Sequence, residues 1–181
     1  MTPIIRDVTP DDVAAVTTLY AHEVDHGTAT FELVAPTVQQ MAERIAAVQG
    51  RGLPWRIATV DGAFAGYAYL APYRTRAAYR YTAEVSVYVH ADARGRGVGS
   101  ALLTDLIDHA GALGVRHLFG VISQSATSDA SIALHRRAGF TEAGTWRHAG
   151  WKFERWLDVT VMQLDRDPGG APPQSEGLRL D

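Results

Sequence analysis

Hydrophobic residues recur along this chain with a helical period in some segments and a strand period in others. A period of about 3.6 residues is typical of helices that bury one face, and a period of two is typical of half-buried strands. The helical period predicts helices at residues 9–26, 37–49, 98–113 and 128–138. The strand period predicts strands around residues 4–5, 55–60, 63–70, 83–90, 117–122, 141–147 and 155–164.

The order of these elements predicts the fold class. Asp61-Gly62 is a typical two-residue hairpin turn, so the strands on either side of it are expected to pair antiparallel. The strand–helix–strand unit over residues 83–122 is expected to form a parallel pair with a right-handed crossover. The sequence therefore predicts an α/β fold in a single domain, with one mixed central sheet flanked by helices on both faces.

Length and composition set the limits of that domain. The chain has 181 residues, within the ~100–200 residues usual for one domain. We expect the folded domain to span residues 1–166. Residues 167–181 are rich in Pro, Gly and polar residues, which predicts a flexible C-terminal tail.

Composition also narrows the function. The chain has no cysteine, which excludes disulfides, Cys-ligated zinc and a Cys nucleophile, and which favours a reducing compartment. A net charge of −3 and a pI of about 6.1 argue against a nucleic-acid-binding surface. No apolar run is long enough for a membrane span or a signal peptide. We therefore expect a cytoplasmic protein with no nucleic-acid or membrane partner.

A glycine-rich loop, Arg94-Gly95-Arg96-Gly97-Val98-Gly99, joins the clearest predicted strand to a strong helix. Glycines let a ligand approach the backbone, and a helix N-terminus with two nearby arginines attracts phosphate groups. The loop lacks the third glycine of a dinucleotide-binding fingerprint and the lysine of a P-loop. It is therefore predicted to bind the phosphate or pyrophosphate of another ligand. The alternative is a tight turn without a ligand.

The loop also resembles the acetyl-CoA loop of the GCN5-related N-acetyltransferases (GNAT), through its pattern Arg94-x-x-Gly97-x-Gly99. Within that superfamily the chain is similar to the group that acetylates phosphinothricin and methionine sulfone or sulfoximine, over about residues 4–165. The motifs that carry the resemblance are His22-Glu23-Val24, Gly27-Thr28-Ala29-Thr30-Phe31, Arg76-x-x-Tyr79-x-x-Thr82-x-Glu84, Ser131-Ile132-x-Leu134-His135, Gly139-Phe140 and Gly150-x-Lys152-x-x-x-Trp156-x-Asp158-Val159.

The resemblance implies acetyl-CoA as cosubstrate and no metal. It implies that two central parallel strands splay apart, that the pantetheine arm fills the gap, and that backbone N–H groups near residues 87–89 are left free for the reacting carbonyl oxygen. The cofactor-binding residues that it implies are Val87, Tyr88, Val89, Arg94, Gly95, Arg96, Gly97, Val98, Gly99, Ser100, Ser128 and Ser131. Many family members have Asn where Ser128 stands.

Two candidate catalytic residues follow from the chemistry and the resemblance together. An amine must lose a proton before it attacks a thioester, and a carboxylate placed nearby promotes that step. Glu84 lies on the strand that leads into the loop, and the resemblance implies that it is the general base. His135 shares a helix face with Ser128 and Ser131, and an imidazole suits a general acid for the leaving thiolate. The alternatives are a Glu84 that faces water and a His135 that only packs or caps.

The resemblance also implies an acceptor site. Arg76 and Tyr79 would bind an acidic group of the acceptor, and Thr30 and Phe31 would form another wall. A guanidinium binds a carboxylate or phosphinate with paired hydrogen bonds. We therefore expect direct acetyl transfer, in a ternary complex, to a small amino-acid-like acceptor of the phosphinothricin or methionine sulfone or sulfoximine type. Another small amine or a protein N-terminus is the alternative. The resemblance further suggests a homodimer with residues 151–156 at or near the interface.

Two other functions compete with this interpretation. His22-Glu23-Val24-Asp25-His26 matches the HExxH pattern of zinc hydrolases. In such enzymes both histidines point from one helix face into a cleft. Here His22 lies nearly opposite the apolar stripe, and Gly27 ends the helix at once, which disfavours a zinc hydrolase. The second competitor is a CoA-binding module without catalysis, which would bind the cofactor and release no thiol.

Overall fold

The computed structural model describes residues 2–125, 127–173 and 175–180. The strands are β1 (Ile4–Asp7), β2 (Trp55–Val60), β3 (Ala63–Pro72), β4 (Thr82–Val89), β5 (His117–Ser123), β6 (Thr141–Lys152) and β7 (Arg155–Asp165). The helices are α1 (Val13–His26), α2 (Val38–Gly50), α3 (Val98–Ala112) and α4 (Ser128–Arg137). Within the described residues, no helix is both long and apolar enough to cross a membrane.

The strands form one mixed sheet in the order β1-β2-β3-β4-β5-β7-β6. Strands β1 to β4 pair antiparallel with one another in that order, and β7 pairs antiparallel with both β5 and β6. The parallel pair, β4 and β5, lies at the centre of the sheet and is connected through α3. The predicted α/β fold with one mixed sheet is confirmed.

Two apolar cores lie on opposite faces of this sheet. Ile57 and Tyr67 pack with α1 and α2 in one core. Their neighbours Ala58 and Ala68 pack with α3 in the other core, and α4 adds Leu134 to its edge. Successive strand residues point to opposite faces, so strands that are apolar at both positions fill both cores.

β6 and β7 form an edge hairpin that is longer than predicted. β6 extends to Lys152, whereas the sequence pattern predicts an end near residue 147. Phe153 and Glu154 form the two-residue turn, with φ angles of 53° and 56°. Type I′ turns require such left-handed residues and usually have Asn or Gly there. The turn was missed because neither residue is of that kind.

The C-terminal segment folds back onto the domain, although its composition predicts a flexible tail. Leu178 is 7% exposed and lies in the core on the α3 side of the sheet. Its N–H donates to the Arg80 carbonyl oxygen over 2.7 Å, and the Tyr81 hydroxyl donates to the Ser175 carbonyl oxygen over 3.0 Å. One buried leucine and a few hydrogen bonds thus attach a short polar segment to the domain.

Candidate active site

The two central strands separate toward their carboxyl ends. Their parallel pairing ends at Val85–Gly120, although β4 continues to Val89 and β5 to Ser123. A cavity of about 730 Å³ opens there. It is lined by the diverging strands, the loop before α3, the α4 helix and the segment after α1. The predicted splay of the central strands is therefore confirmed.

Backbone conformation explains two glycines of the loop. Gly95 and Gly97 have φ angles of 73° and 80°, which L side chains rarely adopt. Gly97 is the N-cap of α3, and no described atom lies within 4 Å of a Cβ built on it. The first turn of α3 is therefore open to the cavity. Its unpaired N–H groups carry partial positive charge and suit a phosphate.

Gly99 packs against a neighbouring helix in addition to lining the cavity. A Cβ on Gly99 would lie 3.2 Å from Leu134 Cδ2 and 3.6 Å from Val89 Cγ2. The first distance is shorter than an ordinary van der Waals contact, so glycine here lets α3 approach α4 closely. Gly99 lines the cavity as well, so its predicted part in binding the cofactor stays a prediction.

The two loop arginines point in different directions. Arg94 lines the cavity, and its Nη2 lies 3.4 Å from Glu23 Oε1 of α1. Arg96 pairs with Asp61 in the β2–β3 turn over 3.2 Å and does not line the cavity. Both guanidinium groups are nearly half exposed, so water screens both pairs and neither holds its arginine firmly.

Glu84 lies on β4 just before the central strands separate, and it lines the cavity. Burial raises the pKa of its carboxyl group, and the positive charge of Arg74 partly offsets that effect. A carboxylate with a raised pKa accepts a proton more readily than an exposed glutamate does. Position and electrostatics therefore both suit the predicted general base.

His135 is 5% exposed and lines the cavity from α4. Its Nδ1 lies 2.8 Å from the Ser131 carbonyl oxygen, so Nδ1 carries the proton that this contact requires. Within the described residues Nε2 has no hydrogen-bond partner, and it lies 2.6 Å from the position of a Cβ on Gly120. Burial lowers the pKa of the imidazole. The resting ring is therefore neutral, with its lone pair on Nε2.

The segment after α1 forms another wall of the cavity. The Thr28 hydroxyl donates to the Gln124 carbonyl oxygen over 2.7 Å, and the Ser123 hydroxyl donates to the Thr28 carbonyl oxygen. The Tyr20 hydroxyl and Thr30 Oγ1 are 2.9 Å apart. These hydrogen bonds attach the segment to the end of β5 on one side and to α1 on the other.

The structure brings most of the predicted site residues together. The cavity lining includes Glu84 and His135, and it includes Thr30 and Phe31 of the predicted acceptor wall. The predicted cofactor-binding residues in the lining are Val87, Tyr88, Val89, Arg94, Gly95, Gly97, Val98, Gly99, Ser100, Ser128 and Ser131.

Arg76 and Tyr79 do not belong to this lining. They lie in the exposed segment between β3 and β4, where Ala77–Tyr79 forms a short 3-10 helix. The Tyr79 ring packs edge-on against Tyr73 at 5.6 Å, and Tyr73 contacts Phe119 of β5 at 4.8 Å. The predicted clamp for an acidic group is therefore not part of the cavity wall.

The HExxH pattern does not build a metal site in the part of the chain that the structure describes. The His22 and His26 rings lie 5.0 Å apart and both side chains are exposed. No group of three or more potential metal-ligating side chains occurs among the described residues. Glu23 instead faces Arg94 and lines the cavity, so this pattern contributes a carboxylate next to the glycine-rich loop.

Sequence reasoning missed several residues of the lining. They are Tyr20, Glu23, Thr28, Tyr69, Ser86, Gly120 and Ser123. Tyr20 and Tyr88 pack edge-on at 5.6 Å, which places both rings at one wall. Burial raises the pKa of Tyr20 to about 12, so its phenol stays protonated near neutral pH. A usable signal for Tyr69 was its place two residues after Tyr67 on β3, since Tyr places a polar tip on an apolar face.

Known proteins share this architecture. Residues 5–161 match the acetyltransferase (GNAT) domain family. The chain belongs to the GNAT acetyltransferases. The matched residues include the glycine-rich loop and both central strands. The part of the chain that matches the GNAT family therefore contains these walls of the cavity.

Related proteins align with this GNAT chain over nearly its whole length. Phosphinothricin N-acetyltransferase from Alcaligenes faecalis is 44% identical over 165 residues, which cover 91% of this chain and 83% of the relative. L-methionine sulfoximine/L-methionine sulfone acetyltransferase from Salmonella typhimurium is 39% identical, covering 93% and 97%. The crystal structure of a phosphinothricin acetyltransferase from Sinorhizobium meliloti in complex with AcCoA superposes with a TM-score of 0.91 at 37% identity, covering 98% and 96%.

Proposed function

We propose that this protein transfers acetyl from acetyl-CoA to the amine of a small amino-acid-like acceptor. The observation that carries the proposal is one cavity whose lining includes both the open helix start of α3 and the half-buried Glu84. The relatives support it, because they are phosphinothricin and methionine sulfoximine or sulfone acetyltransferases, and one related structure contains AcCoA.

The residues present fit acetyl-CoA. The pyrophosphate would bind at the N-terminus of α3, where Gly95 and Gly97 leave the backbone open and Arg94 adds charge. The pantetheine amides would bind along the edge of β4 beyond Val85, which has no pairing with β5 there. The Ser128 hydroxyl already donates to the Ser125 carbonyl oxygen over 3.0 Å, so it offers the arm only its lone pairs.

Glu84 would start the reaction by taking a proton from the acceptor ammonium, directly or through one water. The neutral nitrogen then attacks the thioester carbon, the C–N bond forms, and the C–S bond breaks as the thiolate leaves. Backbone N–H groups of β4 near residues 87–89 would stabilise the negative charge on the carbonyl oxygen, because the splay leaves that edge unpaired.

His135 remains our candidate for returning a proton to the thiolate. Its Nδ1 is held by Ser131 and its pKa is lowered by burial, so Nε2 must first take up a proton before it can donate one. Glu84 holds the first proton of the ammonium, and the second proton, which the nitrogen loses once the C–N bond has formed, supplies the one that His135 passes to the thiolate. A neutral resting His135 also accepts a hydrogen bond from the thiol product at Nε2.

The acceptor class depends on the wall formed by Thr30 and Phe31, which offers a hydroxyl and an aromatic face. Arg76 and Tyr79 are our candidates for binding an acidic group, since they precede Glu84 in the segment that leads into β4. Their position outside the lining favours a second candidate function, acetylation of a small amine that lacks an acidic group.

An amine panel with acetyl-CoA tests these assignments by the release of free thiol. The protein adds no thiol background, because it has no cysteine. We expect L-phosphinothricin and methionine sulfone or sulfoximine to give the highest kcat/KM. A preference for amines without an acidic group would select the second candidate. Calorimetric binding of acetyl-CoA without thiol release from any amine would leave only a CoA-binding module.

We also propose that the protein is a homodimer that works in the cytoplasm. Four large aromatic side chains are exposed on the β6–β7 hairpin at the edge of the sheet: Trp146, Trp151, Phe153 and Trp156. Exposed apolar groups of this size mark interaction surfaces, and a second copy is the occupant that the resemblance suggests. Light scattering after size exclusion tests the dimer, and Trp151→Glu should shift it to monomer. The cytoplasmic location rests on the absence of cysteine from the sequence.

A further inference from the structure

Lys152 is the only lysine of the chain, and it is 3% exposed at the end of β6. Its Nζ donates to the Glu23 carbonyl oxygen over 3.2 Å and to the Thr30 carbonyl oxygen over 2.9 Å. It also lies 5.0 Å from the centre of the Phe153 ring. Two carbonyl dipoles and an aromatic face thus compensate the buried charge. Lysines are rarely buried to this extent, so the contacts point to a specific role.

The two carbonyl groups lie at the two ends of one segment of the cavity wall. Glu23 belongs to the last turn of α1, and its carbonyl oxygen also accepts the N–H of Gly27. Thr30 comes just before Phe31, and both line the cavity. The ammonium therefore connects the partial negative charge at the end of α1 to the backbone of the acceptor wall.

Gly150 makes a second contact between the same strand and the same wall. A Cβ on Gly150 would lie 2.4 Å from both Cε2 and Cζ of Phe31, so the Phe31 ring rests directly on the backbone of β6. Gly150 and Lys152 are two residues apart on the strand. One contacts the side chain of the wall, and the other binds its main chain.

We propose that Lys152 is a positioning residue for the acceptor, because it holds Thr30 and Phe31 where they line the cavity. Lys152 itself does not line the cavity and takes no part in the bond-making steps. The kinetic consequence rests on the proposed acetyl transfer. The attachment of the segment with Thr30 and Phe31 is independent of that proposed function, and it can be measured without any substrate.

The test compares Lys152→Met, which keeps the apolar stem, with Arg147→Met, which removes an exposed cation from the same strand. Hydrogen exchange read by mass spectrometry should be faster at residues 27–33 in Lys152→Met by about tenfold or more, the effect of losing a hydrogen bond to a charged group. Exchange in α3 should stay unchanged. KM for the best acceptor of the panel should rise about tenfold or more, while KM for acetyl-CoA stays within about twofold. Arg147→Met should change none of these.

A chemical rescue separates the ammonium from general packing. The chain has no cysteine, so Lys152→Cys is aminoethylated at one site only, in urea before refolding. The restored ammonium should restore both slow exchange at residues 27–33 and the acceptor KM. Unchanged exchange in Lys152→Met would overturn the proposal, and so would an equal rise in both KM values or a failed rescue. If the wild-type protein acetylates no amine, the proposed function fails, while the exchange data still decide the role of Lys152.

Discussion

At the scale of single residues, the proposed acetyl transfer depends on Glu84 as its base. Glu84→Gln keeps the shape of the side chain and removes the base, so kcat at pH 7 should fall by about 100-fold or more. Burial raises the pKa of Glu84, so the wild-type rate should rise with pH through a value above the ordinary pKa of glutamate. The variant should lack this rise, and its deficit should shrink at high pH, where the amine loses its proton unaided. Profiles of kcat against pH measure both effects.

The control for that experiment is Glu43→Gln, an exposed change of the same kind on α2. Calorimetric titration should show that Glu84→Gln keeps its affinity for acetyl-CoA, which confines the change to the chemical step. A variant with wild-type kcat at pH 7 would assign the role of base to another group, such as His135 or water.

The glycine-rich loop allows a closely matched comparison. Gly97 and Gly62 both have a φ of 80°, and for both no described atom lies within 4 Å of an added Cβ. Gly97→Val and Gly62→Val should therefore lose a similar free energy of unfolding, about 1–2 kcal/mol for a side chain in the left-handed region. Only Gly97→Val should weaken acetyl-CoA binding severely, because only Gly97 lies at the start of α3 in the cavity. Equal affinities in calorimetry would remove the loop from the site.

At the scale of elements, the start of α1 depends on one ion pair. Asp12 accepts two hydrogen bonds of 2.6 Å from the Arg6 guanidinium, and it also accepts the N–H and hydroxyl of Thr9. These contacts lower the pKa of Asp12 to about 2. A lowered pKa in the folded state stabilises the protein above the unfolded value, and the stabilisation is lost as pH falls from about 4 to about 2.

Asp12→Asn should lower the free energy of unfolding by about 1–2 kcal/mol at pH 7, with allowance for the screening of the partly exposed Arg6. Urea titrations at pH 7 and near pH 2 measure the difference, which should become small at the lower pH. Asp11→Asn is the control, since Asp11 is the exposed neighbour in the same turn. Equal effects of the two changes at pH 7 would show that the pair with Arg6 contributes nothing.

At the scale of the whole molecule, the C-terminal segment closes one side of the domain. Leu178 is buried in the core on the α3 side, so Leu178→Ala should lower the free energy of unfolding by about 2 kcal/mol. This is the low end for buried leucines, because the segment lies near the surface and can settle into the space left. Leu33→Ala is the control, since Leu33 is 70% exposed. Urea midpoints that move equally would show that the segment does not pack in solution.

Sequence patterns alone predicted the elements, the fold class and the open glycine-rich loop. Each of these depends on neighbours in the chain: the periods of apolar residues, the capping threonine at residue 37, and glycines at positions that require positive φ. Sequence spacing also places Glu84 on the strand that leads directly into the loop, whereas the role of Glu84 as the base came from the family resemblance and stays a prediction. Residues close together in the chain determine these features, so patterns in a single sequence are enough to predict them.

The side chains that form the walls of the cavity come together through contacts between residues far apart in the chain. Thr28 binds Gln124 across 96 residues of chain, and Lys152 binds Thr30 across 122. The folded structure also leaves Arg76 and Tyr79 outside the cavity lining, and it buries Leu178 in the core. No periodic pattern encodes such contacts, because they arise where the splayed strands, the hairpin and the segment after α1 meet in space. Sequence spacing fixes the face of an element, whereas its neighbour across the cavity depends on how all elements pack.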